Sequence, residues 1–366
     1  MRRALVTLHR WLGGLVGLGL AVLGLTGAAL LWKPWWVGAP LAARLPSDAE
    51  TLAMIAAAGR LGARHVTLPS AEFGAAQAGL GEGAGAYLAH DGTLLARWQS
   101  PWDRPETFLF DLHHHLLMGE TGELIGGWLG IAAVLFAVTG LVLWWPTRRT
   151  FRPRALPPRL TRPAIIRHHR DIGAVLALPI LLAGLTGALM VLKPLGAAVF
   201  APLSPPDAVA AWQAKPPAAP ARAPASGNAP AWPAILAAAH ARFPDAEPRM
   251  IIWPKAPGDP VTLRMRRPAE WHPNGRTTLT FTADGALLAA RDAPAAPLAV
   301  RAQNALYPLH SARLSGSAMG LPLRIVMTLA GLGLALLGSL AVLTFWRSLA
   351  PARAVQPALP RRLGAG

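Results

Sequence analysis

Four stretches of the chain, residues 12–32, 124–145, 172–192 and 321–346, run apolar with almost no charge. A run of about 20 such residues, as a helix rising about 1.5 Å per residue, crosses the ~30 Å hydrocarbon core of a bilayer. Between the first and second runs, and again between the third and fourth, the pattern changes to alternation. Residues 86–97 and 279–290 each read as strand, turn and strand, with Asp91-Gly92 and Asp284-Gly285 at the turns. That is a hairpin signature. A helical pattern precedes each hairpin, over 48–61 and over 233–243, the second ended by Pro244. Residues 201–230 are rich in Pro and Ala and read as an extended linker. The expected fold is a membrane α-helical protein: four transmembrane helices as two parallel repeats, each with a small α+β module.

Composition agrees with spans. Apolar residues make up 53% of the chain and charged residues 14%, well off the balance of a soluble domain. Arg2 and Arg3 before the first run resemble a signal peptide, but the run is long and no small-x-small site follows it, so an uncleaved span is expected. The net charge of +17 is concentrated. Eight arginines and no acid lie between Arg148 and Arg170; Arg2, Arg3 and Arg10 precede the first run, and Arg347, Arg353, Arg361 and Arg362 follow the last. In a four-span topology these groups share one side, the positive-inside pattern, with membrane lipid as the partner rather than nucleic acid. The expected divisions are 1–36 (N-terminus and first span), 37–111 (first module), 112–146 (second span), 147–170 (basic cytoplasmic loop), 171–195 (third span), 196–230 (linker), 231–309 (second module), 310–346 (fourth span) and 347–366 (tail). Both termini are expected in the cytoplasm and both modules in the periplasm. With no cysteine in the chain, disulfides, Cys-held zinc, iron–sulfur clusters and covalent haem attachment are excluded.

The chain repeats itself. His9, Arg10, Gly13, Gly24, Leu25, Thr26, Gly27, Ala28, Lys33 and Pro34 recur, without a gap, as His169, Arg170, Gly173, Gly184, Leu185, Thr186, Gly187, Ala188, Lys193 and Pro194. A looser match sets Asp111-Leu112-His113 on Pro308-Leu309-His310, with Gly119 and Gly316 both six residues further on. The motifs L-H-R-W-L-G at Leu8–Gly13, L-T-G-A followed by K-P, D-L-H with L-L-M-G-E-T-G over Asp111–Gly122, and P-L-H-S-A-R at Pro308–Arg313 resemble the PepSY-associated transmembrane helix family. The resemblance covers essentially the whole chain. It implies a bacterial inner-membrane protein with PepSY-like modules, similar to ferric-siderophore reductases that carry haem.

One histidine near a membrane surface is most simply a headgroup anchor or a helix cap. Four histidines in two repeat-related pairs, His9 with His169 and His113 with His310, point instead to shared ligands. Neutral imidazole is a good iron ligand, and bundle interiors hold cofactors between facing helices. The expected cofactor is haem b, two per chain, with these four as axial ligands to the iron. His114 and His115 are alternates to His113, and His168 to His169. The gapless repeat favours His169. Arg10, Arg170 and Arg313 are candidates to hold propionates; Arg324 reads as interfacial snorkelling. His65, His90, His240 and His272 have no repeat partner and are expected at the surface. Trp102, Trp253 and Trp271 are expected in module cores, and Thr26 and Thr186 are expected to bond to a backbone carbonyl or across helices.

No dinucleotide fingerprint or P-loop is present, so electrons would come from a separate donor or a quinol. The leading expectation is reduction of a ferric siderophore at the periplasmic face. The alternative is a non-enzymatic PepSY sensor or protease-interaction protein. A transporter ranks last, because the spans lack acidic residues for coupling ions.

Overall fold

The computed structural model describes residues 2–38, 44–214, 230–256 and 259–349. Among them, four helices are long and apolar enough to cross a membrane: α1 (Arg2–Leu30), α5 (Gly119–Trp144, continued as a tighter turn to Thr150), α6 (Arg162–Val191) and α11 (Gly320–Leu349). The remaining helices are short. They are α2 (Lys33–Trp36), α3 (Asp48–Arg60), α4 (Pro105–His115), α7 (Lys193–Phe200), α8 (Pro206–Gln213), α9 (Trp232–Arg242) and α10 (Leu298–His310). Part of the segment read as extended linker is therefore the helix α8, and its residues 215–229 lie outside those described.

The long helices pack as two close couples, α1 with α11 and α5 with α6, because small residues stand at their crossings. A methyl group added at Gly24 would lie 2.5 Å from the carbonyl oxygen of Gly331, and one at Gly331 would lie 2.6 Å from that of Gly24. The other couple repeats this contact: Gly130 and Gly184 would meet each other's carbonyl oxygens at 2.9 and 2.8 Å. Backbones can approach this closely only where no side chain intervenes. Gly24 and Gly184 are the pair of the gapless repeat. Gly130 and Gly331 stand 201 positions apart, as do Gly119 and Gly320, which open α5 and α11. His113 and His310 stand 197 apart. The turn after His310 is thus four residues longer than the turn after His113, which is why the second sequence match drifts. The helix openings pair Gly119 with Gly320, not with Gly316.

The alternating segments build a single antiparallel sheet of eight strands, in the order β4-β3-β2-β1-β5-β6-β7-β8. Its strands are β1 (His65–Thr67), β2 (Ala76–Gly81), β3 (Ala84–Leu88), β4 (Leu94–Trp98), β5 (Glu247–Ile252), β6 (Val261–Arg266), β7 (Thr277–Phe281) and β8 (Leu287–Arg291). The two halves join where β1 pairs with β5, with Val66 opposite Ile251. Both module helices lie on one face. Met54, Ile55 and Ala58 of α3, with Ile235, Leu236 and Ala239 of α9, share one core with Val66, Leu88, Ile251, Leu263, Leu279 and Phe281. Each hairpin turns on a glycine with positive φ, Gly92 (+83°) and Gly285 (+93°), conformations that side chains rarely adopt. Each turn also rests on its own half's helix, on Ala53 and on Ala234.

On the other face, the sheet is tied to the helix ends. Lys33 lies over the rings of Phe73 and Tyr87, and the Tyr87 hydroxyl donates to buried Glu106 at 3.1 Å. Glu72 accepts from Arg313 and Arg324 at 3.0 and 3.1 Å. Arg324, expected to snorkel to the interface, is instead buried in that pairing and stacks over Trp35 at 4.8 Å. A guanidinium near the start of α11 has a carboxylate partner at hand, so it need not reach for solvent. Trp253 packs on Trp232, but Trp102 and Trp271 are exposed, contrary to a core role.

Replacing Gly184 with leucine should drive α5 from α6. The expected cost is about 1–3 kcal/mol of overpacking, read as a lower melting temperature of the detergent-solubilised protein; Ala substitution at half-buried Gly126, which has open space around it, should not lower the temperature.

Candidate functional site: two facing histidine pairs

The four repeat-related histidines meet as two pairs. His9 of α1 and His169 of α6 have ring centroids 6.2 Å apart, with their planes at 89°. His113 at the end of α4 and His310 at the end of α10 have centroids 6.1 Å apart, inclined by 42°. The second pair contacts α1 at Thr26 and Gly27, some 17 residues along that helix from His9, so about 26 Å separates the two levels. One pair sits at the sheet end of the bundle and the other at the far end.

Three of the four imidazoles, His9, His113 and His310, are held by Nδ1, and the holding group fixes the tautomer. Thr26 donates its hydroxyl proton to the carbonyl of Val22 in its own helix at 2.7 Å. It can then only accept from His113 Nδ1, 3.0 Å away. Thr186 donates to Leu182 at 2.7 Å and lies 3.1 Å from His310 Nδ1, which also faces the carbonyl of Ala183 at 3.2 Å. A carbonyl cannot donate, so that Nδ1 carries the proton. Thr139 donates to Leu135 at 2.6 Å and lies 2.9 Å from His9 Nδ1. In all three rings the Nδ1–H is a donor and Nε2 keeps a bare lone pair. The rings of His113 and His310 also require glycine beneath them: a methyl group at Gly27 or Gly187 would lie 2.9 or 3.1 Å from an imidazole carbon. Two residues of the motif L-T-G-A thus serve the rings: its threonine orients one and its glycine makes room for it.

The alternates point elsewhere. His168 is buried, and its Nε2 faces the carbonyl of Ala155, away from His9. His114 and His115 contact each other and Phe110, while His113 alone of the three faces His310. Of the candidate arginines, Arg170 is committed to Asp171 and Thr150 through all its nitrogens, Arg10 reaches Ser348, and Arg313 bonds Glu72. The repeat does not single out Thr139; its place there is taken by Leu340, so only its spacing from the helix end hints at it.

A bundle of four membrane-length helices, carrying an extramembrane α+β sheet and paired histidines between the helices, is a multi-pass membrane protein. The chain belongs to the family described as PepSY-associated TM region, whose pattern matches residues 6–348. No curated protein matches the chain.

Among the unpaired histidines, His65 is exposed and His90 and His240 are half-buried. His272 corrects the surface expectation. It is buried, stacked on Tyr307 at 4.9 Å, and its Nδ1 accepts from the amide of Asn274. Burial, then Arg276, Arg264 and Arg313, push its pKa down to about 2. The unfolded chain therefore binds a proton at His272 near pH 6.5 that the folded chain refuses, so stability is full above that pH and falls as pH drops towards 2. Thermal melts should show a lower transition at pH 5 than at pH 7.5, and His272→Gln should flatten that pH slope.

Proposed function

We propose that the chain is a haem-containing electron-transfer protein of the bacterial inner membrane that reduces a ferric siderophore at the periplasmic face. Its electrons come from a cytoplasmic donor or the quinol pool. The termini and the basic loop face the cytoplasm, and the sheet faces the periplasm. The two halves act as parallel repeats about an axis along the membrane normal.

The observation that carries this reading is the pair geometry. Two imidazoles sharing one metal ion stand two bonds of about 2.0–2.1 Å plus two ring radii of about 1.1 Å apart, roughly 6.2 Å between centroids. The separations here are 6.1 and 6.2 Å. Nδ1 is engaged in each ring described above, and Nε2 is unprotonated, as a ligand requires. Bound haem b would supply a one-electron ferric–ferrous couple. His9 and His169 would hold it at the cytoplasmic level, and His113 and His310 at the periplasmic level. A pair of imidazoles on one iron would favour outer-sphere electron transfer over oxygen chemistry. Thr26, Thr186 and Thr139 orient the rings and raise their basicity through the Nδ1–H bond. Delivery of one electron to the chelated ferric substrate gives ferrous iron, which hard oxygen donors hold less tightly.

The test is the visible spectrum of the full chain, expressed with adequate haem and purified in mild detergent. A Soret band with sharp α and β bands on reduction is expected. His9→Ala or His169→Ala should remove about half of the absorbance, and His113→Ala or His310→Ala the other half. Thr26→Val should keep the spectrum but weaken haem retention about 10–100-fold. A colourless protein, or a spectrum indifferent to all four histidines, overturns the reading.

A further inference from the structure

The tight reversal between α4 and α5 creates a second histidine cluster that the paired sites do not use. The chain turns through Leu116 and Leu117, both with positive φ, and the amide of Met118 bonds the carbonyl of His115 at 2.8 Å. Gly122 lies against that same carbonyl, where any side chain would collide. The first turn of α5 is thereby pressed onto the last turn of α4, and Glu123 comes to face His114 and His115. One ligand atom from each of the three lies within 4.8 Å of the others.

Protonation within the cluster is ordered. Asp111 sits one helical turn before His115 and accepts from its Nδ1 at 2.7 Å. His115 Nε2 is therefore a bare lone pair, and it points at His114 Nδ1, 3.0 Å away. Without a metal, His114 fills that gap with a proton. Two bonds of about 2.0–2.1 Å at a tetrahedral angle place their nitrogens about 3.3 Å apart, close to the observed spacing. A carboxylate that orients a histidine from behind is also the usual support of a metal-bound imidazole.

We propose that His114, His115 and Glu123 bind a divalent first-row transition-metal ion, with Asp111 as the positioning residue. Two imidazole nitrogens and one carboxylate suit zinc, ferrous iron or copper rather than calcium or magnesium. Three protein ligands leave at least one coordination position open. Binding requires the His114 proton to sit on Nε2, which frees Nδ1 as a ligand. The site belongs to the first half alone. By the 201-residue offset of the glycine crossings, Glu123 corresponds to Arg324, and Ser311 and Ala312 follow His310 where His114 and His115 follow His113. Metal binding stands independently of haem; a role in receiving ferrous iron released at this end rests on the function proposed above.

The test uses the untagged full chain in detergent, dialysed to equilibrium against micromolar Zn2+, with bound zinc measured by elemental analysis. The expected result is one zinc per chain, lost on His115→Ala and on Glu123→Gln, weakened about 10–100-fold by Asp111→Asn, and unchanged by His65→Ala. The visible spectrum of each variant is recorded beside it. Zinc binding in a colourless protein upholds this site while sinking the haem reading. A haem spectrum with no bound zinc, or with zinc indifferent to Glu123 and His115, overturns this site and leaves the haem reading standing.

Discussion

A threonine hydroxyl has one proton, and in α1, α5 and α6 that proton is spent on the helix's own backbone. The arrangement of the histidine pairs depends on this commitment. Thr26, Thr139 and Thr186 can only accept, so each imidazole must present Nδ1–H to them and turn a bare Nε2 elsewhere. In hydrocarbon, where no water competes, the choice has no cheap alternative. The glycine crossings complete the constraint. Gly24 and Gly184 hold their partner helices at backbone distance, and within the next turn Thr26 and Gly27, or Thr186 and Gly187, form the slot for a ring.

Much of this framework is legible in the amino-acid sequence alone. Uncharged runs reveal the spans, Asp-Gly turns reveal both hairpins, and a gapless offset of 160 residues pairs His9 with His169. These are local or repeated signals, and they survive without knowledge of the contacts. What stays hidden depends on distant partners. β1 is a three-residue strand, too short to show alternation, yet it fuses both halves into one sheet. Arg324 meets Glu72 across 252 positions, and nothing near it in sequence signals a buried ion pair. His272 lacks a repeat partner, but Tyr307 and the loop around Asn274 enclose it. The four extra residues after His310 blur the second match, and the helix openings at Gly119 and Gly320 with the Gly130 and Gly331 crossings recover the register.

The halves are alike where the rings are held and unlike just beyond. Behind His113 the chain places two more histidines and a glutamate; behind His310 it places serine, alanine and an arginine tied to Glu72. The matching glycine crossings position the paired histidines, and the divergent turns give the sheet end of the bundle two different chemistries. One turn gathers nitrogen and carboxylate ligands. The other locks the first half's Glu72 to the second half's helix end, fastening the sheet to the bundle.

The central claim is that each facing pair ligates one haem iron through Nε2. Its most direct measurement is the ratio of haem to chain, determined as the pyridine complex on purified full-length protein and matched to low-temperature electron paramagnetic resonance of the oxidised state. Two haems per chain with low-spin ferric signals are predicted. A chain without haem, or one whose iron is high-spin and therefore lacks a second imidazole, would contradict the account.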